Sequence, residues 1–173
     1  LNPRPPLARR TQWTPPERGL VIVNSDASYL PDSGRCWAGA VARDHQGRVV
    51  LSACKAMPYA SSAEEAEARA ALFGLQALAD VHRGPVELES DCKAIVDTLT
   101  ADVPNREPYY GILQDLKAAL TGFQEFRVSF ASRDCNHLAH ELAVEARQNG
   151  DQLIIADVPV RLRHLVQSEC DPA

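Results

Sequence analysis

Three acidic residues of this chain sit in apolar stretches where a carboxylate is out of place. Asp26 follows the run Leu20–Val23, Glu67 lies among Ala66, Ala68 and Ala71, and Asp91 comes just after Val86–Leu88. A bare carboxylate in such surroundings is costly unless it faces water in a cleft or a cation. Hard oxygen ligands converging from strand ends and a helix are what Mg2+ or Mn2+ requires. Taken singly, each acid also has an ordinary reading. Asp91 suits a helix N-cap, and the other two suit a surface.

The elements that would have to gather these residues are legible from periodicity. Leu20–Val23 running into Asn24–Ser25–Asp26 has the pattern of a buried strand that ends in polar residues, which sets Asp26 at the strand's end. Trp37–Asp44 and Val49–Lys55 read as two more strands, with Gly47 supplying the positive φ of the hairpin between them. Ser62 and Glu65 form a capping-box pair, and Ala68, Leu72, Leu75 and Ala79 follow at helical spacing. They predict a helix of about 18 residues that carries Glu67 and ends near Val81. Val86–Glu89 alternates as a strand, and Ser90 or Asp91 is placed to cap a second helix through Ile95, Val96 and Leu99. Pro104–Pro108 reads as a loop, Tyr109–Leu120 as a third helix and Phe126–Ser132 as a fifth strand. Asn136 would cap a last helix with Leu138, Leu142 and Ala146, while Val158–Val166 has no clear period. The order β-β-β-α-β-α-α-β-α predicts a mixed α/β sandwich. There is no GxGxxG or GxxxxGK[ST] loop for a nucleotide phosphate.

Size and composition bound the rest. At 173 residues, 45% hydrophobic and 24% charged, the chain fits one soluble globular domain with a short tail. No apolar run approaches the roughly 20 residues that span a bilayer, so no membrane partner is expected. The segment LNPRPPLARR has arginines but no apolar stretch behind them, unlike a secretory signal. Five scattered cysteines without a CxxC pair point to a reducing nuclear or cytoplasmic setting. Residues 1–18, dense in proline, read as a linker, residues 19–150 as the domain, and 151–173 as a tail that packs on it. Four arginines against Glu17 give the linker a net +3, so the rest carries −8 of the overall −5. That acidity argues against binding that lives on phosphate contacts alone.

The stretches VNSDASYLPDSGRCWAGAVARDHQGRVV, SSAEEAEARAALFGLQAL, VELESDCKAIVDTL and RDCNHLAHELA, in that order, resemble ribonuclease H. The likeness is to the plant-type domain found at the C-terminus of non-LTR retroelement reverse transcriptases, and it covers roughly residues 13–150. It implies a ribonuclease H-like α/β fold with a five-stranded mixed sheet and helices on both faces. It also implies a site for two divalent ions, Mg2+ or Mn2+. Asp26 matches the aspartate of the first strand, Glu67 the helix glutamate and Asp91 the aspartate after the fourth strand. Glu67 is preferred to Glu64 and Glu65 because it sets Ala70, Ala71 and Leu75 at the family's small and apolar positions. The fourth position departs from the pattern. In Ala139–His140–Glu141–Leu142–Ala143 an imidazole stands where the prototype has aspartate, and it brings no charge to offset a second dication. Glu141 points about 100° away on a helix and is a poor substitute.

The implied reaction is hydrolysis of the RNA strand of an RNA–DNA hybrid, with Asp26, Glu67, Asp91 and His140 as catalytic and metal-binding residues. Recognition of ribose 2′-hydroxyls falls to polar residues near the motifs, namely Asn24, Ser28, Ser61, Ser62 and Asn136. A reverse transcriptase or other domains of a larger polyprotein would supply the affinity that an acidic, monomeric domain lacks. Trp13 and Trp37 suit either base stacking or, for Trp37 above all, the core. Cys92 and Cys135 read as small buried hydrophobes. The rival reading is a ribonuclease H-like module that has lost catalysis and binds a protein or nucleic-acid partner. The acidic body favours it, and the three carboxylates favour the nuclease.

Overall fold

The computed structural model of the protein describes residues 12–101 and 107–170. β1 (Val21–Leu30), β2 (Arg35–Arg43) and β3 (Val49–Met57) form an antiparallel meander, followed by α1 (Ala63–Ala79) and β4 (Val86–Ser90). Next come α2 (Lys93–Thr100), α3 (Tyr110–Thr121), β5 (Phe126–Phe130), α4 (His137–Asn149), β6 (Gln152–Ile155) and α5 (Arg163–Cys170). The sheet order is β5-β4-β1-β2-β3-β6, with β4 parallel to both β1 and β5. The mixed sheet with helices on both faces is as expected, with β6 added antiparallel to β3 over Leu51–Cys54. Of the loop expected at Pro104–Pro108, most falls outside the described residues. No helix among the described residues is long and apolar enough to cross a membrane.

Alternation along β1 sends its side chains to two different layers. Val23 joins Leu75, Leu78, Leu88, Ile95, Leu113 and Leu116 in the larger core, under α1, α2 and α3. On the other face α4 lays Leu138 and Leu142 on Trp37, Val41 and Cys54, and the tail residues Val158 and Leu162 complete this second core. Val158–Val166 showed no period because it contributes isolated anchors, not a continuous amphipathic face. Helix α1 begins as its capping box dictates, with Ser62 Oγ accepting from the Glu65 amide at 3.1 Å. The hairpin turn uses Gly47 at φ 73°, also as expected.

Three local expectations are corrected. Asp26 is not at the end of β1, because the strand continues to Leu30 with β2 paired along its length, Asp26 opposite Gly39. Neither Ser90 nor Asp91 occupies the cap of α2. That position is Cys92, whose amide donates to Ser90 Oγ at 3.1 Å, which leaves the Asp91 carboxylate free to turn away from the helix. The described part of the proline-rich lead-in, residues 12–18, is docked on the domain. Trp13 is 2% exposed, the Arg43 guanidinium lies 3.6 Å over its ring, and Glu17 accepts from Arg127. Trp13 is therefore no platform for bases.

Candidate active site

The parallel β1–β4 ladder ends at Asn24 opposite Glu89, although β1 runs on. Asp26 and Asp91 each lie two residues beyond that pair, so the register brings them side by side where the sheet splits. The next backbone groups of β1 take side chains in place of a strand. The Ala27 amide donates to Glu67 Oε1 at 3.3 Å, and the Ser25 carbonyl accepts from Asn136 Nδ2 at 2.8 Å. Glu67 thus reaches the split from α1, and one ligand oxygen each of Asp26, Glu67 and Asp91 lies within 4.8 Å of the others.

His140 arrives from the opposite layer. Its Nδ1 is 2.7 Å from Asp26 Oδ2, and its side chain is about half exposed. Gly39 makes this approach possible. A Cβ there would meet the Ala139 carbonyl oxygen at 2.2 Å and the Ala143 amide nitrogen at 2.3 Å, so only glycine lets the α4 backbone sit so close opposite Asp26. Glu141 faces His137 at 3.7 Å and takes no part, as the helical angle implied.

Burial and mutual repulsion dominate the electrostatics of the cluster. Burial, reinforced by the Asp91 charge, pushes the Asp26 carboxyl up to about 6 against the opposing pull of His140 and Arg133. Burial and the two neighbouring aspartates hold Glu67 well above the ordinary glutamate range. Glu67 Oε2 is buried with no hydrogen-bond partner. A carboxylate oxygen is seldom left so unless something else completes it. Three hard oxygen donors, one orphaned, with an imidazole beside them, fit a small divalent cation.

The residues expected to touch substrate separate into two groups. Asn24 is fully buried, its amide donating to Glu89 and its carbonyl accepting from Arg43, so it cannot reach a nucleic acid. Asn136 is 2% exposed and does not cap α4 with its side chain. Besides the Ser25 carbonyl it contacts Asp91 Oδ1 at 3.4 Å, which makes it a brace between β1, Asp91 and α4. Ser62 caps α1 and Ser61 Oγ donates to Glu65. Ser28 keeps a slight exposure, two residues beyond Asp26 on the same face. Sequence reasoning missed Arg133, whose Nε lies 3.8 Å from Asp91 Oδ2, and Gly39, which no local pattern marks. A separate cleft of about 600 Å3 lies between the β2–β3 turn and α5, away from the carboxylates. Its Arg48 and Arg163 are paired with Asp44 and Asp157.

A similar fold is found in solved ribonucleases H. RNase H1 of Halobacterium salinarum shares 25% identity over 76% of this chain and 99% of its own length, with a TM-score of 0.70. The RNase H domain of rv2228c from Mycobacterium tuberculosis is 20% identical, over 76% and 96% of the two chains, at a TM-score of 0.66. LC11-RNase H1, solved with an RNA/DNA hybrid, is 18% identical over 72% and 94%, at 0.65. No curated protein sequence matches the chain. The family model described as reverse transcriptase-like matches residues 24–146, a span from the strand of Asp26 through the helix of His140. With its ribonuclease H-like fold, the chain belongs to the reverse transcriptase-like family.

Proposed function

We propose that this protein is a divalent-metal-dependent endoribonuclease that cuts the RNA strand of RNA–DNA hybrids, as one domain of a retroelement-derived polyprotein of the plant type. The observation that carries the reading is the convergence of Asp26, Glu67 and Asp91 with a buried, unpartnered Glu67 oxygen. LC11-RNase H1 and a foamy viral protease-reverse transcriptase, each solved with an RNA/DNA hybrid, support the substrate class. The foamy viral chain, 13% identical at a TM-score of 0.60, is covered over only 22% of its length, in keeping with a domain of a larger protein.

Asp26, Glu67 and Asp91 would hold two Mg2+ or Mn2+ ions, with His140 at the fourth position. When bound, such ions supply the Lewis acidity that activates water against a phosphodiester and offsets charge on the departing 3′ oxygen. Asp26 is the pivot, shared between the carboxylate cluster and the His140 imidazole. The Ala27 amide holds Glu67 by one oxygen and leaves the other for a ligand. Asn136 fixes the distance between β1 and Asp91. His140 orients that carboxylate through its Nδ1 contact. Among the described residues four cysteines carry no disulfide, three of them buried, which supports a reducing nuclear or cytoplasmic compartment, and we take the domain to act as a monomer.

The test is cleavage of an end-labelled RNA–DNA hybrid in Mg2+ and in Mn2+, with Asp26→Asn and Glu67→Gln purified alongside. Wild-type cleavage lost in both variants is the expected result. The second reading, a non-cutting binding module, is favoured by His140 in place of an acid and by the −8 body. Folded wild-type protein that cleaves with neither ion would overturn the nuclease reading and turn the search to binding partners.

A further inference from the structure

Three of the elements that carry the site are each gripped two residues before the site residue. Asn24 precedes Asp26 on β1, Glu89 precedes Asp91 at the end of β4, and Leu138 precedes His140 in the first turn of α4. One continuous chain of hydrogen bonds joins the three. Asn24 Nδ2 donates to Glu89 Oε2 at 2.9 Å, and Asn24 Oδ1 accepts from Arg43 Nη2 at 3.1 Å. Arg43 Nη1 donates to Glu169 Oε2 at 2.6 Å, and the other Glu169 oxygen accepts from the Leu138 amide at 3.1 Å. The chain runs through the interior, with Asn24, Glu89 and Arg43 buried and the Glu169 side chain 10% exposed.

We propose that Glu169, on the C-terminal helix α5, is a positioning residue for the reaction, and that through this chain it sets where α4 holds His140 against the carboxylates. The proposal rests on the nuclease reading above. The amide that Glu169 takes is one of the four at a helix start that have no partner within the helix. Asn136, at the N-cap of α4, would ordinarily satisfy such a donor, yet its side chain is turned to the Ser25 carbonyl and Asp91 and makes no cap bond. Glu169 supplies the cap from 31 residues away, and its negative charge suits the positive end of the helix. Its second oxygen is held by a guanidinium that is itself fixed, stacked on Trp13 at 3.6 Å and bound to Asn24. Gly39 lets α4 come close to the sheet, and Glu169 locates its first turn there. Only a carboxylate accepts at both oxygens, so no neutral side chain of the same length spans Arg43 and Leu138 as two acceptors. The His140 to Asp26 contact of 2.7 Å is what this placement protects. A displacement of about 1 Å would break it.

The test is made on the full chain, with folding of each variant checked by circular dichroism. Glu169→Gln should lower kcat for the hybrid about tenfold and leave KM within about twofold, since the change reaches the site residue and not the substrate. In the metal-free protein the ring-nitrogen signals of His140, identified in histidine-labelled NMR spectra by their loss in His140→Asn, should shift in the same variant. Arg43→Lys keeps the charge, loses the fork that joins Asn24 to Glu169, and should reproduce both effects. Leu120→Ala weakens the fold through the larger core, away from this chain, and should move neither kcat nor the His140 signals. A wild-type kcat or unmoved His140 signals in Glu169→Gln and Arg43→Lys, or the same changes in Leu120→Ala, would overturn this proposal alone. A folded wild-type protein that does not cut the hybrid would instead overturn the nuclease reading and this one with it.

Discussion

Arg43 and Glu169 are 126 residues apart in the chain and 2.6 Å apart in the fold. Arg43 is wholly buried, its second nitrogen donates to Asn24 on β1 and its plane lies on Trp13. The other Glu169 oxygen accepts from the Leu138 amide in the first turn of α4. One ion pair thus joins the lead-in, the strand of Asp26, the helix of His140 and the C-terminal helix. Removing one partner leaves a buried charge unpaired, so Glu169→Ala should destabilise the protein by about 3 kcal/mol. Urea unfolding should show a lower midpoint with unchanged slope, and Glu169→Gln should lose less.

Asp26 makes the metal-free protein sensitive to pH. Its carboxyl is raised from 3.8 to about 6, so folding favours the protonated form. That contribution is complete below pH about 4 and is lost as the pH rises through 6. Asp26→Asn, neutral at every pH, should stabilise the metal-free protein by about 1–2 kcal/mol at pH 8 and hardly at all at pH 4. Saturating Mn2+ should reverse the order, since only the wild type gains from binding. Thermal melts at the two pH values, with and without the ion, check all three statements.

Gly39 controls how closely α4 approaches the sheet. The Cβ of Gly39→Ala would press on the backbone of Ala139 and Ala143, which cannot move aside as a side chain would. The variant should lose about 3 kcal/mol of stability and most of its activity, because α4 carries His140 away from Asp26. A crystal structure showing His140 still within hydrogen-bond distance of Asp26 would contradict this account.

On the proposed reading, His140 would set the choice of metal. Replacing it by a fourth carboxylate, His140→Asp, should tighten Mg2+ by about an order of magnitude and reduce any preference for Mn2+, since hard dications answer to ligand charge. Metal titration of both proteins decides it. Equal Mg2+ affinities would place His140 outside the metal's reach.

Much was legible in the chain alone because it depends on residues close in sequence. The capping box of Ser62 and Glu65, the glycine of the β2–β3 turn and the periods of the strands and helices are local properties, and they carried the fold. The ordered motifs around Asp26, Glu67, Asp91 and His140 located the candidate site. Tertiary structure decided what those residues do. Asn24 and Asn136 read in sequence as candidates for substrate contact, but the splitting of β1 from β4 and the burial of Arg43 turn them into internal braces. β6 and α5 gained their places from a ladder with β3 and from the Arg43–Glu169 pair, partners about 100 or more residues away that no local period can signal. Gly39 is one of nine glycines in the sequence, and only the α4 backbone lying against it shows why a side chain is excluded there. The sequence determined which groups are present and on which elements. Their convergence within a few ångströms was settled by strand register and close packing, which are properties of the folded chain as a whole.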